Sequence, residues 1–122
     1  MSKCNKIMIA EGSNRSLYRW TDGTGIYLVA ERYMEGKCKT YSIYLSNEGY
    51  LHVYSSRNCD LETTDYLEVQ LTHEASMQIR SAIESVKTFR DFKRVFNWLL
   101  NATYCYGEQG ANICTDEDIY DL

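Results

Sequence analysis

The sequence has no proline, no Cys-x-x-Cys pair and no long apolar run. Without proline, rigid extended linkers are not expected. No stretch approaches the roughly 18 apolar residues of a membrane-spanning helix. Four apolar residues before Glu11 are too few for the core of a secretory signal. The cysteines stand at 4, 38, 59, 105 and 114, an odd number. Without an export signal they read as reduced thiols, and a cytoplasmic location is expected. The sequons at Asn14 and Asn101 then carry no consequence, because glycosylation needs a secretory route.

Histidine is scarce too, and His52 and His73 fall on separate predicted elements. Cys105 and Cys114 lack zinc-site spacing, so no metal or cofactor is expected. There is no Gly-x-Ser-x-Gly, no phosphate loop and no His-Glu-x-x-His. The glycines of Thr21-Asp22-Gly23-Thr24-Gly25 are accounted for by a hairpin turn. A non-enzymatic role is the expectation.

What is present is a chain of 122 residues, 44% hydrophobic and 25% charged, with eleven tyrosines. That length predicts one domain over 1–122. The net charge of −4 conceals alternating blocks. Residues 1–57 and 77–94 are basic overall, whereas 58–76 and everything after 94 are acidic. A mildly acidic total argues against general nucleic-acid binding, which requires a dominant basic field.

Alternating polarity and turn signals predict an antiparallel meander of four to six strands over about residues 6–71. The turns are Asp22-Gly23, Glu35-Gly36 and Asn47-Glu48-Gly49. Their lengths predict registers pairing Leu17 with Leu28, Leu28 with Ile43 and Ile43 with Val53, one apolar row. On the opposite face they place Tyr18, Tyr27, Tyr44 and His52 in a row, with Trp20 opposite Gly25. Residues 7–9 are a candidate edge strand, 55–65 a polar loop, and Tyr66–Leu71 a further strand.

Beyond Thr72 the period becomes helical. Thr72 is an N-cap candidate, and Thr88-Phe89-Arg90-Asp91 reads as a second capping sequence. Two helices, about 73–86 and 89–103, therefore follow the sheet and cover its apolar face. An irregular acidic tail ends the chain. The fold class is α+β.

Two constellations carry functional content. The first is the aromatic sheet face, comprising Tyr18, Trp20, Tyr27, Tyr44, Tyr50, His52 and Tyr54. Aromatic strand residues stabilise sheets by cross-strand pairing, but seven together make a patch that suits an interface. The second is Lys87, Arg90, Arg94 and Trp98 on the second helix, with Arg57 as a further cation. A charged helix face is ordinarily solvated. As a site, it would grip phosphate or carboxylate with its arginines and stack Trp98 on a base.

In size and overall character the chain resembles small phage-encoded proteins that antagonise bacterial defence, such as anti-CRISPR proteins and sponges for nucleotide signals. Small size, one compact domain without a motif and an aromatic sheet face fit a dedicated inhibitor, acting on a protein partner or through self-association as a dimer or higher oligomer. The acidic 60–68 stretch and the tail would meet basic grooves. The alternative is an oligomeric sponge that stacks a small nucleotide on tyrosines and holds its phosphates with Arg57, Arg90 or Arg94. An enzyme without a recognisable motif is the third class.

Overall fold

A computed structural model describes residues 5–57 and 62–101. Six strands form a single antiparallel sheet in sequence order. They are β1 (Asn5–Glu11), β2 (Arg15–Thr21), β3 (Gly25–Met34), β4 (Lys37–Ser46), β5 (Tyr50–Arg57) and β6 (Glu62–Gln70). Two helices follow, α1 (His73–Ser85) and α2 (Phe89–Asn101). The meander and the two-helix layer are as the periodicity predicts, and the edge strand at residues 7–9 is longer than expected. The predicted irregular acidic tail lies outside the described residues.

Both helix starts show their capping chemistry. The Thr72 hydroxyl accepts from the Ala75 amide at 3.2 Å. Thr88 accepts from the Asp91 amide at 3.0 Å, while the Asp91 carboxylate accepts from the Lys87 amide at 3.0 Å. Reciprocal capping of this kind satisfies amide groups that a helix start otherwise leaves open. It also holds Asp91 below the usual carboxylate range, chiefly through the Lys87 amide.

The helices bury Ala75, Ile79, Ile83, Phe92, Phe96 and Leu99 against one sheet face. Leu17, Leu28, Ile43 and Val53, the predicted apolar row, are all fully buried there. Tyr41 lies among them, its ring edge-on to Phe96. The Arg19 guanidinium donates to the Ile83 and Glu84 carbonyls at the end of α1, where positive charge complements the helix dipole. Among the described residues, no helix is long and apolar enough to cross a membrane.

Two expectations need correction. In the β2–β3 hairpin Leu17 pairs with Ala30 and Trp20 with Tyr27, two residues away from the predicted register. The cause is the loop. The Asp22 carboxylate accepts from the Thr24 amide at 2.9 Å and its hydroxyl at 2.6 Å, which lengthens the turn. Asn47 then ties Gly23 and Thr24 to the β4–β5 loop through two bonds of 2.8 Å. A slip of two preserves the faces, because side chains alternate with period two. The other two predicted registers, Leu28 with Ile43 and Ile43 with Val53, are observed.

The second correction concerns the predicted polar loop, 55–65. Residues 55–57 continue β5 and 62–65 begin β6, with Ser55 opposite Thr64. An irregularity in the β5–β6 register turns Tyr66 into the core. There its hydroxyl and that of Ser55 share a hydrogen bond of 3.0 Å.

Candidate functional site

The helices cover one sheet face and leave the other open among the described residues. Alternation assigns side chains to it strand by strand. Trp20, Tyr27, Tyr44 and His52 occupy one cross-strand row. Trp20 and Tyr27 stack with centroids 4.1 Å apart and planes within 3°, and Tyr27 lies 4.4 Å from Tyr44. The next row runs Tyr18, Val29, Ser42, Tyr54 and Asp65. His52 and Tyr54 stack at 4.3 Å across the two rows. Every aromatic residue predicted for this face is half-buried and on it.

The second row produces a feature that a list of aromatics does not contain. Its two middle strands carry the small Val29 and Ser42, while its flanks carry Tyr18 and Tyr54. Strands lie about 4.8 Å apart, so the flanking tyrosines stand about 14 Å from each other at the backbone. The result is a bowl of about 290 Å³ floored by Val29, Thr40 and Ser42 and bounded by Tyr18, Tyr54 and Glu31.

Glu31 is the hub of the rim. Tyr18 donates to its Oε1 at 2.6 Å, and Tyr33 and Ser16 donate to its Oε2. Burial and the adjacent carboxylate push the Tyr18 hydroxyl far above its ordinary value. At the other end of the face Tyr50 donates to Glu68 at 2.7 Å, which raises its pKa to about 12. His52 Nε2 lies 2.6 Å from Asp65 and 3.8 Å from Glu68. The irregularity at Tyr66 is what brings both carboxylates to this side, because Asp65 and Glu68 would otherwise point to opposite faces.

The charge of the open face is acidic. Registers place Glu11, Glu31, Asp65 and Glu68 on it, and Lys6 as its one Lys or Arg among the described residues. Arg15, Arg19, Arg32, Lys37, Lys39 and Arg57 all fall at alternate positions, on the helix side. The basic excess of residues 1–57 thus lies almost wholly on the covered face.

The predicted anion-binding residues are not joined to the tyrosines. Lys87, Arg90 and Arg94 are exposed on the helix layer, and Arg57 ends β5 on the same side. Trp98 is half-buried and packs against the core. The sheet lies between these cations and the aromatic face. One ligand cannot touch both sets within one chain.

Sequence reasoning missed Glu31, and it named Asp65 and Glu68 only as part of the acidic 60–68 stretch, not as members of the aromatic face. The period-two pattern Tyr27, Val29, Glu31, Tyr33 signals Glu31, whereas Asp65 and Glu68 depend on an irregularity that no spacing announces. Among the described residues no group of three His, Cys, Asp or Glu side chains is arranged to hold a metal. No protein-family model, curated protein or solved structure matches the chain, so geometry alone carries the functional reading.

Proposed function

We propose that this protein is a non-enzymatic binding protein that lays its acidic aromatic sheet face against a basic surface of a larger protein. The observation that carries the reading is the combination on one open face, among the described residues, of a stacked Trp20–Tyr27–Tyr44 ladder, three carboxylates hydrogen-bonded to face residues, and a single lysine. Tyrosine and tryptophan provide large contact areas with few torsions to freeze, which suits the centre of an interface. Carboxylates steer that face toward positive potential.

Surfaces that hold nucleic acid are basic. Blocking the groove of a nucleic-acid-guided effector, the anti-CRISPR type of inhibition, fits this chemistry. Two copies of an acidic face repel each other, which favours a foreign partner over self-pairing through this surface. A nucleotide sponge finds less support. A phosphate on the tyrosines would meet carboxylates, with Arg90 and Arg94 across the sheet.

The test compares three immobilised proteins in extract from cells that contain the partner: the wild type, Tyr44→Ala/Tyr50→Ala and Arg90→Glu/Arg94→Glu. A protein held by the wild type and the arginine variant but lost from the tyrosine variant supports the reading. Retention by the tyrosine variant, or loss from the arginine variant alone, refutes it.

A further inference from the structure

The bowl between Tyr18 and Tyr54 has a narrower chemistry than the face around it. We propose that it is a receptor for one cationic side chain of the partner, an arginine guanidinium in the best-fitting case; this rests on the binding-protein reading above.

Three observations converge on a cation. First, the walls are aromatic and the rim is a carboxylate, with no basic residue among the described residues lining the bowl. Aromatic rings attract cations through their negative faces, and a carboxylate adds a charge-assisted hydrogen bond. Second, the protein already performs this recognition on itself. The Lys6 ammonium sits 4.1 Å from the centroid of the Tyr18 ring, on a strand that does not line the bowl.

Third, Glu31 retains capacity. A carboxylate offers about four acceptor positions, and three hydroxyls occupy Glu31, two of them on Oε2. Among the described residues Oε1 accepts from Tyr18 alone, which leaves it a position for an incoming N–H donor. Those same hydroxyls hold the carboxylate in place, so little freedom is lost when a ligand arrives. A planar guanidinium matches this arrangement better than an ammonium, because it can lie along a ring and donate at its edge. The floor includes buried Val29 and Ser42, which accommodates the aliphatic stem of such a side chain.

A nucleobase is the competing occupant for an aromatic bowl. In a nucleotide it comes with a phosphate, and the acids on this face oppose that.

The experiment uses N-acetyl-arginine amide as probe and the two indole N–H signals as reporters. Trp20 borders the bowl, whereas Trp98 packs against the core on the other side of the sheet. The Trp20 signal is expected to shift saturably while Trp98 stays still. Glu31→Gln should weaken binding about tenfold, the loss expected when a hydrogen bond to a charged group is removed. Ser42→Phe fills the floor without touching Glu31 and should abolish the shift, which covers the case that Glu31→Gln unfolds. Adenosine monophosphate should leave Trp20 unmoved.

Unchanged affinity in Glu31→Gln, a persisting shift in Ser42→Phe, or saturation by the nucleotide in place of the arginine probe would overturn the assignment. Tyr44 and Tyr50 do not line the bowl. Failure of the arginine probe therefore leaves the tyrosine-variant test of the whole face standing, and the two ideas can fail separately.

Discussion

Tyr41 and Tyr44 lie three residues apart on β4 and face opposite sides of the sheet, so replacing each with Ala measures what each face is for. Tyr41 is fully buried, with its ring edge-on to Phe96 at 5.9 Å between centroids. Truncating a buried aromatic residue costs about 3–5 kcal/mol from lost burial and the cavity left behind. Tyr44 is half-buried. It loses a tilted ring contact with Tyr27 at 4.4 Å and a 3.1 Å hydrogen bond to Thr24 near solvent. The ring pair is worth about 0.5–1.5 kcal/mol and the solvated bond about 0.5 kcal/mol, so Tyr44→Ala should cost about 1–2 kcal/mol. For a domain of this size that separates a Tm drop of about 10–20 °C for Tyr41→Ala from one of about 3–8 °C for Tyr44→Ala. Urea unfolding followed by circular dichroism, with equal m-values, measures both. If Tyr44→Ala were as costly as Tyr41→Ala, the aromatic face would be part of a core in solution and the proposed interface would not exist.

Gly25→Ala should be among the most damaging small substitutions in the chain. A Cβ there would stand 2.3 Å from the Leu45 carbonyl oxygen and 2.7 Å from the Ser46 Cα, both backbone atoms that cannot swing aside. A loss of about 3 kcal/mol or more in urea unfolding is expected, and a loss below about 0.5 kcal/mol would show that β3 and β4 can part there. Thr88→Ala removes the hydroxyl that caps α2 and should cost about 1 kcal/mol without altering the m-value. Alkaline titration tests the tyrosine–carboxylate bonds. Tyr50 holds its proton more tightly folded than unfolded, so its contribution to stability is complete below about pH 10 and drains away as the pH rises toward its folded value of about 12. Tyr18 acts in the same direction. Tyrosinate absorbance of the native protein should therefore lag that of the unfolded chain, and Glu68→Gln should bring one tyrosine back toward its ordinary range. Coincident titration curves would remove the carboxylate bonds from the account.

The fold was largely legible because its signals are local. Gly36 and Gly49 sit in the left-handed region that their turns require, with φ of 76° and 88°, and the registers they impose are the observed ones. Thr72 and Thr88 announce helix starts through hydroxyls whose partners lie three residues ahead. The first hairpin escaped because Asp22 folds back onto Thr24 and Asn47 bonds to Gly23 across 24 residues of sequence, a contact that turn statistics do not contain. Tyr66 escaped for a related reason, since whether a strand absorbs an irregularity is decided by its neighbour.

For the site, alternation alone determined which aromatic residues share a face, and even an error of two residues in one hairpin left that assignment intact. Sequence also determined that nearly all the early basic residues stand out of phase with the tyrosines. Tertiary structure decided the rest. It set Val29 and Ser42 side by side between two tyrosines to open a bowl, turned Asp65 and Glu68 to the same side, and placed the sheet between the tyrosines and Arg90 and Arg94. The physical reason is that period two specifies a side chain's direction, whereas depth, charge and separation arise only when strands and helices distant in sequence are packed together.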